Sequence, residues 1–308
     1  MRAVIRRLFV VNVRKKNVHR ATLYYRFETY SRALWLCFIW FSMLFSWNAL
    51  AENSASAEKA LSLNGLSGLT IKVCGNSAYP PVSWLNADEK IDGVNVAVIR
   101  MLLEPLGVTV DARQNSNWRR CLKEVELGNV DMLSGFKTTK RQQFLTYLDA
   151  PVIRESIYLY YPIEHPLVFK DWKALSGLRV GLLMGDSFGN EVDAALHEYP
   201  NLELVSTQDQ NLLKLADNRL DVVPMGKLSG QLDVHRLGLE GKIGHTKTDV
   251  SDFWYLAISK RSPLVNWLPF LNQRLDKLLK EPDTVSELVE RYRQIYNTDL
   301  GLSGEFDY

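Results

Sequence analysis

Two stretches of this chain repeat one order of strand and helix signals, and that repetition constrains the fold more than any single residue. In the first, apolar runs at residues 70–74, 108–112 and 130–134 alternate with helical periodicity at 94–106 and 118–127. Val94, Val98, Met101 and Leu102 share one face of the first helical run, and Gly107 stops it. In the second, strand signals at 179–183, 202–205 and 220–224 alternate with helical ones near 189–197 and 211–217. The junctions match as well: Gly128-Asn129-Val130-Asp131-Met132 and Asn218-Arg219-Leu220-Asp221-Val222 each close a helix and open a strand. Strands that alternate with helices build mainly parallel sheets, so the chain reads as an α/β protein of two similar lobes. Extended segments at 157–162 and 254–259 follow the two units, and helical runs at 264–279 and 284–296 have no obvious place in the second lobe. The chain is therefore expected to cross back through two hinge strands. That gives a first lobe of residues 67–157 and 256–297, a second of 158–255, and a tail of 298–308.

The N-terminus is basic as far as Arg32, with nine Lys or Arg and one acid, and turns apolar over 33–47 before Ala49-Leu50-Ala51. This is the pattern of a secretory signal cleaved near Ala51, and it places the mature protein in the periplasm. The apolar run spans about 22 Å, short of the ~30 Å of a bilayer core, so a signal anchor is the lesser alternative. Cys37 lies inside that run with no small residue before it, which argues against lipid attachment. The basic region is long for such a signal, as a start codon read too far upstream would make it. Residues 52–66 form a polar leader. Beyond residue 51 the chain carries 28 basic and 34 acidic side chains, a formal net charge of about −6. The basic character of the whole chain belongs to the targeting segment and does not point to nucleic acid. No spacing of His and Cys suggests a metal, and no cofactor motif is present.

Cys74 and Cys121 remain after the signal. One ends the first strand and the other sits in the first turn of a helix that starts at the same sheet edge. An oxidising compartment then favours a disulfide, with two buried thiols as the alternative. In parallel sheets, ligands bind beyond the carboxyl ends of strands, and each polar cluster falls there. Tyr79-Pro80-Pro81 follows the first strand, Trp118 the second, and Lys137 to Arg141 the third. Gly185-Asp186-Ser187 and Met225-Gly226-Lys227 hold the matching places in the second lobe. Thr138 three residues before Arg141 at a helix start reads as a carboxylate clamp, since the hydroxyl, helix N–H groups and guanidinium all donate to one planar anion. The alternative is an N-capped surface helix with a solvated arginine.

Tyr79-Pro80-Pro81-Val82, Ile91-Asp92-Gly93-Val94-Asn95-Val96, Gly128-Asn129-Val130-Asp131 with Thr138-Thr139-Lys140-Arg141, Leu175-Ser176-Gly177-Leu178-Arg179-Val180-Gly181 and Gly185-Asp186-Ser187 together give the chain a resemblance. Over residues 69–296 it resembles the family 3 extracellular solute-binding proteins, periplasmic receptors that deliver polar amino acids to ABC importers. The resemblance implies a closing two-lobe trap of the type II periplasmic binding fold, monomeric, with a membrane permease as partner. It implies that Tyr79 and Trp118 face the ligand, that Arg141 and Thr138 hold its carboxylate, and that Ser187 reaches the same carboxylate from the second lobe. Packing alone is the other reading of the two aromatics. The family's aspartate for the α-ammonium falls at Gly226 here, followed by Lys227. Together with Lys137, Lys227 would make the cleft more positive, unless it faces solvent at a helix start. A small carboxylate, an amino acid or a related organic acid, is the expected ligand.

Two other functions fit. A periplasmic sensing module would bind a similar ligand and present its closed form to a membrane receptor. A cyclohexadienyl dehydratase-like enzyme would need a tuned acid or base in the cleft, for which Asp186 is the candidate, with a helix cap as its ordinary role. His165, His197, His235 and His245 show no nucleophile or metal spacing. No catalytic residue is assigned.

Overall fold

The computed structural model describes residues 65–112 and 117–301, so the signal and most of the leader and tail lie outside the described residues. In chain order the elements are β1 Thr70–Lys72, β2 Ala78–Tyr79, β3 Ser83–Leu85, β4 Ile91–Asp92, α1 Val94–Leu103, β5 Thr109–Asp111, α2 Trp118–Leu127, β6 Met132–Phe136 and β7 Leu145–Pro162. They continue with β8 Val180–Leu183, α3 Asn190–His197, β9 Leu202–Val205, α4 Gln208–Ala216, β10 Val223–Gly226, α5 Lys227–Arg236, β11 Ile243–Ser259, α6 Leu268–Lys280 and α7 Thr284–Asp299.

Each lobe has a small parallel sheet, as the alternation predicts. β1 pairs in parallel with β5, and Val73 bridges to Met132 at the start of β6. The second lobe repeats this with β8 beside β9 and a bridge from Val180 to Val222 just before β10. The long connections differ from the parallel pattern. β7 and β11, of 18 and 17 residues, pair antiparallel along their length and form the middle of a sheet ordered β10-β7-β11-β6. A chain that crosses between lobes once in each direction must run the two crossings in opposite senses, which makes the hinge an antiparallel ribbon.

The apolar periodicity fills two lobe cores. Ile71, Val98, Leu102 and Met132 share a core with Leu271, Leu275, Tyr292 and Tyr296 of the two last helices. Leu212, Leu215, Leu220 and Tyr160 build a core in the second lobe. A further cluster joins Tyr79 and Phe136 of the first lobe to Leu159, Leu182 and Val192 of the second, so the lobes are closed on one another.

Several expected boundaries shift. α1 ends at Leu103, and a 3-10 turn over Glu104–Leu106 carries the chain to Gly107, because Pro105 has no N–H for a continuing helix. Met101, expected on the buried face, is 39% exposed, while Ile99 and Leu103 are buried in its stead. The helical run expected over 264–279 divides into a 3-10 turn at Pro263–Trp267 and α6, with Pro269 in the first turn of α6. β6 and β10 begin two or three residues later than expected, at Met132 and Val223.

Cys74 and Cys121 form the expected disulfide, with Cα atoms 5.7 Å apart and 47 residues between them in sequence. Both are buried against Val125, Leu133 and Tyr147, where the bridge ties the end of β1 to the first turn of α2.

Candidate functional site

Beyond Phe136, the last residue of β6, the chain turns sharply. The N–H of Arg141 donates to Thr138 Oγ1 at 3.2 Å and that of Gln142 to the Thr138 carbonyl at 2.9 Å. The result is a single 3-10 turn, Arg141–Gln143, where an α-helix start was expected, so the turn's own acceptors take the N–H groups that a clamp would use. The turn folds Arg141 back beneath the loop, 6% exposed. Its Nη1 donates to the Phe136 carbonyl at 3.0 Å and its Nη2 crosses the cleft to the Gly185 carbonyl at 2.9 Å.

Trp118 opens α2, whose N-terminus is capped by the Asn117 side chain accepting from the N–H of Arg120. The indole ring lies 5.3 Å from the Arg141 guanidinium carbon, and its Nε1 donates to the same Gly185 carbonyl at 3.0 Å. Tyr147 Oη likewise shares the Phe136 carbonyl at 3.1 Å. Each carbonyl that Arg141 uses therefore has a second donor. The approach depends on Gly185, whose φ of +94° lies in the left-handed region and whose Cβ, if present, would stand 3.3 Å from Arg119 Cα on the facing lobe.

Asp186 follows, half-buried, with Asn76 Nδ2 at 3.5 Å from its Oδ1. Burial pushes its carboxyl up to about 7; the charge of Arg141 opposes this and that of Asp193 adds to it. Desolvation lowers the Arg141 pKa, while Tyr147, Asp186, Asp193 and Asp252 favour its charged form. A guanidinium stays protonated under such a shift. Ser187 Oγ donates to Asp193 Oδ2 at 2.5 Å, and the Phe188 N–H reaches Asp193 Oδ1 at 2.8 Å, so the serine is tied to α3.

Aromatic rings fill the remaining space. Tyr79 lies 4.8 Å from Trp254, and Phe136 lies 5.1 Å from the same ring. Gly226 lets them settle, since a Cβ there would stand 2.2 Å from Tyr79 Oη and 2.8 Å from Glu155 Cδ. Glu155, on β7, accepts the N–H of Lys227 at 3.0 Å at the start of α5. Burial pushes its carboxyl up to about 7, against the hydrogen bonds from that helix end, which pull it down. Asn76, Tyr79, Trp118, Arg141, Asp186 and Ser187 thus surround a space of about 10 Å³, roughly that of one water molecule.

Five of the eight ligand candidates meet around this space. Thr138 stands beside it as the partner of Arg141, and two lysines do not reach it. Lys137 is exposed, with Nζ 5.9 and 5.8 Å from the rings of Tyr147 and Tyr255, and Lys227 is half-buried at the first position of α5. The expected positive cleft is not what forms, because carboxylates at 186, 193 and 252 surround the one guanidinium. Glu155, Asp193, Asp252 and Trp254 had no sequence signal. Among the described residues no group of His, Cys, Asp and Glu could hold a metal ion, and no helix is long and apolar enough to cross a membrane.

Two parallel-sheet lobes on a two-strand hinge, closed over a buried arginine, define a two-lobe binding protein of the periplasmic type. Residues 71–293 match the family model, and the chain belongs to the bacterial extracellular solute-binding proteins, family 3. No curated protein matches the sequence. Solved structures share the fold at low identity. The substrate-binding protein of an amino acid ABC transporter is 15% identical, over 73% of this chain and 99% of its own, with a TM-score of 0.61. A histidine kinase sensor domain with similarity to periplasmic binding proteins is 21% identical, over 77% of this chain and 98% of its own, with a TM-score of 0.61. The VFT2 domain of BvgS from Bordetella pertussis is 19% identical, over 73% and 93% of the two chains, with a TM-score of 0.57.

Proposed function

We propose that this protein is a periplasmic solute receptor that closes on a small carboxylate-bearing solute and presents it to the permease of an ABC importer. The observation that carries this reading is Arg141, buried where the lobes meet with one nitrogen on the Gly185 carbonyl of the other lobe. A solute carboxylate can take that nitrogen without orphaning the carbonyl, because Trp118 Nε1 still donates to it. Asp186 faces the same space, so an amino group on the solute would meet a carboxylate there, and an amino acid suits the pair better than a dicarboxylate. Admission requires the lobes to part, since the closed cleft has room for about one water. Calorimetry on refolded protein with the common amino acids and small dicarboxylates tests this. One of them binds, and Arg141→Met weakens it about tenfold or more, as expected for loss of a charged hydrogen bond. Binding that survives unchanged in that variant, or no binding from either set, refutes the assignment.

The tightness of the closed cleft favours a second reading, a sensing module whose closed form engages a membrane receptor. Cross-linked membranes distinguish the two, with a permease recovered for import and a receptor kinase for sensing.

A further inference from the structure

A groove of about 860 Å³ separates α2 of the first lobe from the β8–β9 edge and α3 of the second. Its α2 wall is Arg119, Leu122, Lys123 and Glu126, spaced i, i+3, i+4 and i+7 and therefore on one face of the helix. Opposite them, Leu182 and Leu204 are register partners on β8 and β9, so their side chains share one face of the sheet. Leu204 is 52% exposed there, and Met184, half-buried, continues the wall. The walls touch at Gly185, where a Cβ would stand 3.3 Å from both Arg119 Cα and Leu122 Cδ1. Arg119 Nη1 also donates across the groove to Met184 Sδ at 3.8 Å.

The groove carries more positive charge than its own carboxylates match. Glu126 is paired with Lys123 at 2.9 Å, Asp193 accepts from Ser187 Oγ and the Phe188 N–H, and Asp186 faces Asn76 and the charge of Arg141. Arg119 and Lys140, both exposed and both bordering the groove, have no carboxylate partner among the described residues. An apolar trough with an unmatched guanidinium on one wall suits an amphipathic anion. The chain of such a molecule leaves water against the leucines, while its planar carboxylate takes paired N–H groups of the guanidinium. We propose that this groove is a binding site for a medium-length straight-chain carboxylate, its head on Arg119 and its chain on Leu122, Met184 and Leu204. A volume of this order is that of small-molecule sites. Arg119 and Leu204 belong to opposite lobes, so an occupant bridges them and holds the closed form. The site stands on these accessible side chains and does not depend on the role given to Arg141.

The probe is octanoate, with butyrate as the charge without the chain and octanamide as the chain without the charge. NMR of protein labelled at its methionine methyl groups, the Met184 signal assigned by Met184→Leu, reports occupancy in the groove itself. Octanoate shifts that signal saturably, and butyrate and octanamide each bind about tenfold more weakly or worse. From butyrate through hexanoate to octanoate the affinity climbs, by up to about fourfold for each buried methylene. Arg119→Gln weakens octanoate about tenfold, and Leu204→Ser flattens the dependence on chain length. Arg120→Gln, on another face of α2, changes neither. All three residues are exposed, so the variants keep the fold. No saturable shift up to about 10 mM overturns the proposal and leaves the groove to a macromolecular partner. Affinity indifferent to chain length, or equal affinity in Arg119→Gln, overturns it as well. Octanoate binding lost in Arg141→Met but kept in Arg119→Gln places the anion in the small space around Arg141, which refutes this site and leaves the receptor reading standing.

Discussion

Gly226 governs the packing of the cleft through the side chain it lacks. Its φ of −61° is ordinary, so the constraint there is space and not backbone strain. A methyl group would meet the Tyr79 hydroxyl and the Glu155 carboxyl at once, and Tyr79 cannot retreat because Trp254 backs it. Gly226→Ala is expected to destabilise the fold by about 1–3 kcal/mol, the range of overpacked cores, as read from urea denaturation. A variant as stable as the parent would mean that the ring has room to move. The residues around this point differ in how far sequence foretells them. Tyr79, Trp118 and Arg141 are legible because they follow strand ends, where parallel sheets gather their ligand contacts. Glu155 is not, since its place depends on the register of β7 against β10, which no local pattern encodes. Lys137 shows the reverse failure: it lies in the right loop, yet it is exposed and ends 5.9 and 5.8 Å from the rings of Tyr147, which is buried, and Tyr255, which is half-buried.

At the scale of elements, strand and helix identities within the two repeated units follow from periodicity, with ends that shift where prolines intervene or tertiary pairing starts late, while β2 to β4 and residues 145–156 of β7 and 243–253 of β11 carry no such signal. The Cys74–Cys121 link joins two of these elements, the end of β1 and the first turn of α2, in the buried cluster that also holds Trp118. By chain entropy, a bridge closing 47 residues contributes about 4 kcal/mol. Cys121→Ser, or reduction of the parent protein, is therefore expected to lower unfolding free energy by roughly that amount in guanidinium titrations. Because α2 carries both Cys121 and Trp118, its loosening also frees the indole that shares the Gly185 carbonyl with Arg141. Loss of the bridge without change in stability would refute this contribution.

For the whole molecule, the buried carboxyl of Glu155 and the half-buried one of Asp186, both raised to about 7, and the buried one of Asp233, raised to about 6, set the response to pH. Each holds its proton more tightly in the folded chain than in the unfolded one, where carboxyls titrate near 4. Between about pH 4 and 7 the folded state binds more protons, so stability falls as pH rises through that window. Asp221, drawn below the usual range by its bond to Arg179, acts in the opposite sense at lower pH. The urea midpoint is expected to be higher at about pH 5.5 than at pH 8, and Asp186→Asn to reduce the difference. A midpoint that climbs over the same interval would contradict the sign.

β7 and β11 run through both lobes as neighbours, with a break in register between Lys247 and Ser251. β7 also pairs with β10 of the second lobe over 157–160 and β11 with β6 of the first over 254–258, so either lobe excised alone would carry a bare sheet edge where its partner strand ended. The ribbon thereby makes the lobes one thermodynamic unit despite their two cores. Melting of one strips pairing from the other, and the protein is built to lose its structure in a single cooperative step.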